Sequence, residues 1–294
     1  MKSAASAMVP VLVCTLAIFL LSAMDAAMKS LVLAAGVYNI VLWRSVVTSL
    51  ASAAGWAAHK PRRPSAKALR LHALRALIVA VVLVTFFWGL ARLPLAEAIG
   101  LSFIAPLIAL FLAALMLGER IRLAAVWAAV LGLAGVAVIV AGQFGASHHS
   151  DATLLGTLSI LVSTVFYAFN LVLTRKQAQI ASPLEIMFFQ NLVLLAIMAL
   201  AAPWLGQLLP SQYWLPLIAV AALSLIGQFL MNWAYARAEA QYLVSTEYTA
   251  FIWAIALGWF FFDESVSWET LAGASLIIVS CWLAARASLR RVEG

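Results

Sequence analysis

Long apolar runs recur along almost the whole chain, and each is about as long as a helix that crosses a lipid bilayer. A bilayer core is about 30 Å thick and takes roughly 20 apolar residues per helix. Only 10% of the 294 residues are charged, whereas a soluble domain carries roughly 25%, so these runs are not the core of a soluble protein. We predict ten membrane-spanning helices at 8–34, 38–58, 71–91, 95–117, 124–144, 153–174, 183–205, 214–236, 242–262 and 268–287.

The basic residues are divided unequally between the two sides that these helices define. With the N-terminus in the cytoplasm and strict alternation, only Lys29, Arg44 and Arg92 of the 18 Lys and Arg residues fall outside. Cytoplasmic loops of membrane proteins carry the excess of Lys and Arg. The pattern predicts a multi-pass protein of a bacterial-type inner membrane with both termini in the cytoplasm. The net charge of +7 then reflects membrane orientation, and nucleic-acid binding is not expected.

The two halves of the chain resemble each other. The segment Trp88–Arg92 matches Trp233–Arg237 at an offset of 145 residues, and the same offset pairs Glu119 with Glu264. Five helices per half is an odd number, so the second half enters the membrane from the opposite side. We therefore predict two inverted five-helix repeats, at 8–144 and 153–287. Inverted repeats are typical of secondary transporters, which open a midplane site to each side in turn.

Short motifs mark corresponding places in the two halves. They are a basic residue early in the second helix (Arg44), an aromatic-rich third helix ending at Arg92, Leu117–Arg120, and the echo Phe262–Glu264, where Asp263 replaces Gly118. Together they resemble the EamA family of the drug/metabolite transporter superfamily. The resemblance implies a ten-helix bundle around a central cavity, lined mainly by helices three, four, eight and nine, and the export of amino acids or related metabolites. Within the family, the YddG-type aromatic amino acid exporters are the preferred comparison.

Polar side chains inside a bilayer are costly, so they mark solute sites, ion pathways or contacts between helices. Glu247 is the deepest carboxylate in this assignment and is the candidate for a solute ammonium or a coupling proton. Pro106 is expected to kink the fourth helix, because proline frees a backbone carbonyl. Each polar candidate also has a structural alternative, such as a hydrogen bond between helices or aromatic packing. The candidates for solute binding are Trp88, Ser102, Tyr167, Asn170, Gln228, Asn232, Glu247 and Tyr248.

Four further residues form a predicted charge and gating network. Asp25 and Lys29 are four residues apart on one helix, a spacing at which opposite charges pair. Arg44 is expected to complete the network, and Gln190 is the equivalent of Arg44 in the second half. A structural or gating role is favoured over direct solute binding for all four.

The sequence as a whole predicts a secondary transporter that exports amino acids, including aromatic ones, or similar small amphipathic metabolites. The alternatives are an importer of another metabolite, such as S-adenosylmethionine or a riboflavin-like compound, and drug efflux. A polytopic membrane enzyme or a channel is a remote alternative, because the sequence has neither an HExxH nor a GxSxG motif. No cofactor or metal is expected. The expected partners are the solute, the lipid bilayer and protons as the coupling ion, and the chain is expected to act as a monomer or weak dimer.

Overall fold

The part of the chain that the structure, a computed structural model, describes is helical along almost its entire length. It comprises residues 4–58, 64–117, 123–145, 151–178, 180–235 and 249–289, and no strand occurs among them. A short 3-10 helix, Ser211–Tyr213, precedes α9. The helices are α1 (Ala4–Ala35), α2 (Val37–Ala58), α3 (Ala66–Leu90), α4 (Leu95–Ser102), α5 (Ala105–Leu117), α6 (Leu123–Gly145), α7 (Asp151–Ala178), α8 (Pro183–Leu205), α9 (Trp214–Tyr235), α10 (Thr249–Phe262) and α11 (Trp268–Leu289).

Six helices of the described part are long and apolar enough to cross a membrane, namely α1, α2, α3, α7, α8 and α9. Four shorter apolar stretches complete the set: Leu95–Ala109, Ala129–Gly142, Thr249–Phe262 and Trp268–Ser280. These ten segments follow the ten predicted spans in order. The prediction of an all-helical, multi-pass membrane protein is therefore confirmed. The beginning of the ninth predicted span, residues 242–248, lies outside the described residues.

The fourth predicted span consists of two helices rather than one. α4 ends at Ser102 and α5 begins at Ala105. Pro106 has no N–H to donate to the Ser102 carbonyl, and it disfavours helical backbone at the residue before it. The Phe103 N–H bonds instead to a carbonyl only three residues back, at 3.3 Å, as in a 3-10 turn. The break thus lies just before the proline that predicts a kink.

The helices pack in a small number of extended pairs. α1 packs along α9, α3 along α7, α2 along α8 and α6 along α11, while α4 contacts α10. The α6–α11 crossing is close because glycines face each other there. A Cβ at Gly135 would lie 2.6 Å from the Gly273 carbonyl oxygen, and one at Gly273 would lie 2.5 Å from that of Gly135. Small residues at such crossings allow membrane helices to approach closely.

Apolar side chains fill the interior and also cover the outside of the bundle. Met28, Phe87 and Ile277 are among the fully buried side chains. On the outside, Trp204 is 81% exposed and Trp259 is 68% exposed. A soluble protein rarely exposes contiguous apolar surface of this kind, whereas a membrane helix places it against lipid. The polar side chains of the interior therefore stand out as the functional candidates.

Candidate functional site

Buried polar side chains are found at both ends of the bundle. We call the end where Gly36 joins α1 to α2 the α1–α2 end, and the end where α2 leads into α3 the α2–α3 end. The distribution of basic residues predicts that the α1–α2 end faces outside and the α2–α3 end faces the cytoplasm.

Lys29 lies at the centre of a buried ionic cluster at the α1–α2 end. Its ammonium donates to the Leu93 carbonyl oxygen at 2.6 Å and forms an ion pair with Glu264. The other carboxylate oxygen of Glu264 accepts the Leu95 N–H at 2.7 Å. Lys29 is 5% exposed, and its ammonium lies 5.0 Å from the centre of the Phe262 ring. The cluster therefore joins α1, the α3–α4 connection and the residues that follow α10.

The end of α10 brings Glu264 within reach of Lys29. Asp263 has a φ of 52°, in the left-handed region, and the Glu264 N–H turns back to the Gly258 carbonyl at 3.2 Å. The Glu264 side chain then lies over Gly258, where a Cβ would be 2.8 Å from a carboxylate oxygen. Aspartate is one of the few residue types besides glycine that adopt the left-handed region. This accounts for Asp263 at the position aligned with Gly118, which itself lies outside the described residues.

Asp25 is not the partner of Lys29, so the pairing predicted from their spacing is wrong. The Lys29 ammonium is directed to Glu264 instead. Asp25 interacts electrostatically with Arg44 on α2, yet no Arg44 nitrogen lies within 4.0 Å of an Asp25 oxygen. Below the guanidinium of Arg44 lies Phe87, whose ring centre is 5.7 Å away. The two opposite charges therefore face each other inside the bundle without touching.

The buried face of α2 is polar over several turns. Arg44 is 7% exposed, and its Nε has no hydrogen-bond partner among the residues that the structure describes. Thr48 and Ser52 donate to carbonyls of their own helix, at 3.0 and 2.7 Å. The buried Ser49 hydroxyl has no partner within the described residues. α2 therefore buries apolar side chains in its first turns, and from Arg44 to Ser52 it presents hydroxyls and a guanidinium to the interior.

A second polar network lies at the α2–α3 end. Arg75 on α3 donates to Asn170 Oδ1 at 2.8 Å and to Gln177 Oε1 at 2.6 Å, both on α7. The Gln177 amide contacts His72 Nδ1, and His72 Nε2 lies 3.2 Å from Glu185 on α8. Arg75 is 9% exposed, His72 1% and Gln177 0%. The guanidinium is therefore held by neutral amides, and the carboxylate lies at the edge of the network.

Aromatic rings pack beside this network and tie α2 to α8. Phe189 stacks on His72 with ring centres 5.1 Å apart. Trp56 stacks on Phe188 at 4.5 Å and meets Phe189 edge-on at 5.5 Å. Stacked and edge-on pairs of this kind add to the stability that burial of the rings provides. The α2–α3 end is therefore well packed on the side of α3, α7 and α8.

The structure distributes the predicted solute-binding residues of the first half and of α7 over several places. Asn170 belongs to the network of Arg75, and Tyr167, three residues earlier on α7, is 42% exposed. Trp88 lies at the end of α3 beneath the exposed Arg92, whose guanidinium is 3.4 Å from the ring centre. Ser102 donates to the carbonyl four residues earlier at 2.8 Å, beside the α4–α5 break. Their roles in binding remain predictions.

The remaining candidates lie in the second half. Gln228 is on an exposed face of α9, and Asn232 follows one turn later, with a side chain outside the described set. Glu247 and Tyr248 lie outside the described residues. Gln190, the fourth member of the predicted gating network, is half-buried on α8.

A groove of about 520 Å³ opens between α1, α9 and α10 near the α1–α2 end. Its lining includes Ala27, Ser30, Tyr213 and Phe261. The α1 residues that line it lie on the opposite side of that helix from Asp25, because successive residues of a helix are rotated by about 100°. The groove is therefore separate from the space between Asp25 and Arg44.

Several residues of these networks are not among the candidates that the sequence predicts. In the sequence, Glu264 is notable only as the repeat equivalent of Glu119, and His72 and Arg75 lie near the cytoplasmic start of the predicted third span. The available signal was position, because Arg75 lies within the predicted third span, where an unpaired charge is costly. The described part of the chain contains no group of three or more His, Cys, Asp or Glu residues that could hold a metal ion.

Comparison with known proteins places this geometry among transporters. The sequence profile of the EamA-like transporter family matches residues 8–141 and 154–286. The chain is 30% identical to the pseudopaline exporter CntI of Pseudomonas aeruginosa over 92% of its own length and 94% of that protein. It is 25% identical to a riboflavin transporter of Brucella anthropi over 74% of its length and 78% of that protein. It is 27% identical to an S-adenosylmethionine uptake transporter of Rickettsia conorii, over 71% and 69% respectively.

A solved crystal structure shares the fold. It superposes with a TM-score of 0.63 and covers 99% of this chain and 100% of its own, at 20% sequence identity.

Proposed function

The chain belongs to the EamA-like transporter family, and from this membership we propose that it is a secondary transporter working by alternating access. It exports amino acids, aromatic ones included, or similar small amphipathic metabolites across a bacterial inner membrane. The family and the named relatives are transporters rather than enzymes. The division of basic residues supports an orientation with both termini in the cytoplasm.

The pattern of helix packing is the observation that carries the mechanism. If the two halves are repeats, α1, α2 and α3 correspond to α7, α8 and α9, and α6 corresponds to α11. Exchanging the two halves then turns the α1–α9 pair into the α3–α7 pair. The same exchange leaves the α2–α8 and α6–α11 pairs unchanged. A two-fold relation between inverted halves at 8–144 and 153–287 produces this pattern. Such halves allow the bundle to open towards either side by equivalent movements.

We propose that the Lys29–Glu264 pair holds the α1–α2 end closed. Lys29 comes from the first half and Glu264 from the second, and both also bind backbone groups of the α3–α4 connection. Opening this end between α1 and α10 would separate the two charges. Each buried charge is costly when it is left without its partner, so the pair stabilises the closed arrangement of this end. Opening then requires a compensating gain in free energy, from bound solute or from closure of the opposite end.

Export is favoured because a relative matched over most of both chains is named as a pseudopaline exporter, and amino-acid-like solutes are proposed from the family resemblance. Import of another metabolite is the second candidate, and it is supported by a relative named for S-adenosylmethionine uptake and by one named as a riboflavin transporter. Protons are proposed as the coupling ion, with Glu247 as the residue that exchanges them.

Counterflow in proteoliposomes tests the proposal. Liposomes containing the purified chain and an unlabelled solute receive the labelled solute outside, with and without a proton gradient. The solutes are amino acids, riboflavin, S-adenosylmethionine and a quaternary-amine drug. We expect saturable accumulation of amino acids above empty liposomes, and a gradient that changes its rate. Accumulation of riboflavin or S-adenosylmethionine alone would favour the second candidate, and no accumulation of any solute would contradict transport.

A further inference from the structure

We infer that Asp25 and Arg44 form the head-group site for a zwitterionic solute. The solute carboxylate binds the Arg44 guanidinium, and the solute ammonium binds the Asp25 carboxylate. The inference rests on the proposed transport function and names the chemical class of its solute. It also gives Asp25 and Arg44 a direct contact with solute, whereas their sequence positions favour gating.

Arg44 carries donors for which the described part of the chain supplies no acceptor. A guanidinium has five N–H groups in a planar fork that fits a carboxylate. Arg44 is 7% exposed, its Nε is buried without a partner, and none of its N–H groups donates to an acceptor within the described residues. Arg75 is a matched comparison, because it is 9% exposed and donates to two amide oxygens. The same residue type is satisfied by the protein at one end of the bundle and unsatisfied at the other.

Asp25 faces space inside the bundle. The residues one turn away on the same side of α1, Ser22 and Lys29, are 7% and 5% exposed, yet Asp25 keeps an accessible, half-buried side chain. Since its neighbours on that side are covered by protein, the accessible surface of Asp25 belongs to the interior rather than to the lipid face. A carboxylate there is expensive unless a positive group contacts it.

The separation of the two charges is what points to a ligand between them. Asp25 and Arg44 interact electrostatically, but their charged atoms are more than 4.0 Å apart. Lys29 and Glu264, at the same end of the bundle, are in direct contact. A structural ion pair would close in the same way, because contact compensates the loss of hydration. The ammonium and carboxylate of an α-amino acid are attached to one carbon, so one molecule can contact both groups.

The paired charges also select against other solutes. An arginine alone would attract any anion, whereas Asp25 beside it repels a solute that carries only negative charge. The combination favours a solute with no net charge and one charge of each sign. The Phe87 ring, 5.7 Å from the guanidinium and 1% exposed, supplies an apolar wall beside this head-group site.

Ligand-induced thermal stabilisation of the purified full chain in detergent tests the site. The probes are the proteinogenic amino acids, with phenethylamine and 3-phenylpropionate as analogues of phenylalanine that each lack one charge. We expect at least one amino acid to raise the melting temperature, and its single-charge analogues to bind at least about tenfold more weakly. Arg44→Gln and Asp25→Asn should each abolish the stabilisation. Arg70→Gln, which removes an exposed arginine of α3 away from this site, should respond as the wild type does.

Arg44→Lys guards against a variant that fails to fold, because it keeps the charge and loses the fork. It should melt near the wild-type temperature and bind amino acids about tenfold more weakly. The inference is overturned if no amino acid stabilises the wild type, if the single-charge analogues bind equally well, or if Arg44→Gln binds as the wild type does. Counterflow separates the two proposals. Transport without head-group selectivity would refute the site alone, and zwitterion binding without counterflow would refute transport alone.

Discussion

The two ends of the bundle bury their polar side chains differently. At the α1–α2 end, Lys29 and Glu264 meet as a pair of full charges and are linked to backbone groups of the α3–α4 connection. At the α2–α3 end, Arg75 is held by the amides of Asn170 and Gln177. A buried ion pair is very sensitive to loss of one member, whereas a hydrogen bond to a neutral group contributes less. The ion pair suits a contact that forms in one conformation and breaks in another, and the amide network suits a contact that stays formed.

The two networks also differ in the helices that they join. Both networks cross between the halves of the chain, but the Lys29 cluster connects α1 with the residues after α10, and these two helices pack along each other less extensively than α3 and α7 do. The Arg75 network lies within α3 and α7, which already pack along each other, and extends to α8 through Glu185. We therefore expect the first network to break during transport and the second to move as a unit.

Lys29→Met should have the largest effect. It leaves the Glu264 carboxylate with the Leu95 N–H and no cation, and removing one member of a buried ion pair costs about 3–5 kcal/mol. We expect the largest fall in melting temperature in detergent and a loss of most counterflow. Adding Glu264→Gln should restore much of the stability, because no lone charge then stays buried. If Lys29→Met melted at the wild-type temperature, the ion pair would contribute nothing to stability.

Arg75→Gln should have a smaller effect at the other end. It leaves two amides with unmet hydrogen bonds, at a cost of about 1–3 kcal/mol. Melting temperature and counterflow rate measure the change. Arg70→Gln is the matched control, because Arg70 is exposed on the same helix and a surface substitution changes stability by about 0.5 kcal/mol or less. A loss as large as that of Lys29→Met would remove the distinction between the two ends.

Gly258→Ala should weaken the Lys29–Glu264 ion pair without removing either charge. The added Cβ would lie 2.8 Å from a Glu264 carboxylate oxygen, so the carboxylate must shift from Lys29 or from the Leu95 N–H. We expect a loss of about 1 kcal/mol and a reduced counterflow rate. Gly55→Ala is the control, since a Cβ there meets no atom within 4 Å. Equal behaviour of the two variants would mean that the position of Glu264 is not critical.

Asp263→Gly should have the smallest effect, and in the favourable direction. The φ of 52° at Asp263 suits glycine better than any residue with a side chain, so stability should rise by no more than about 1 kcal/mol. Counterflow should be unchanged. Asp263→Val should instead lower the melting temperature, because a β-branched residue is strained in the left-handed region. A lower melting temperature for Asp263→Gly would contradict the assigned role of this turn.

The number and order of the apolar spans could be predicted from the sequence because bilayer thickness fixes the length of each apolar run. The partner of Lys29 could not, since Glu264 is distant in the chain and the spacing rule for a single helix favours Asp25. That rule describes isolated helices, and here the tertiary contacts decide the partner. Pro106 predicts a break in the fourth span, but the position of the break depends on the turn that the Phe103 N–H closes.

The burial of Arg75 and its hydrogen-bond partners also could not be predicted from the sequence. Its sequence neighbourhood assigns it to a cytoplasmic border, which predicts a solvated side chain, yet it is 9% exposed. Its acceptors, Asn170 and Gln177, are seven residues apart on a different helix, so only packing of α3 against α7 reveals that they converge. The polar face of α2 likewise consists of serine and threonine residues that are unremarkable in sequence and become informative only when burial is known.

Distances measured by electron–electron resonance at both ends test alternating access most directly. One pair of spin labels replaces Leu33 on α1 and Phe260 on α10, and the other replaces Lys176 on α7 and Phe229 on α9; all four positions are exposed. The measurement is made in proteoliposomes with and without transported solute and in the Lys29→Met background. We expect populations in which one distance is long while the other is short, with Lys29→Met shifting the balance towards a long Leu33–Phe260 distance. Two distances that stay fixed, or that lengthen together, would contradict alternating access.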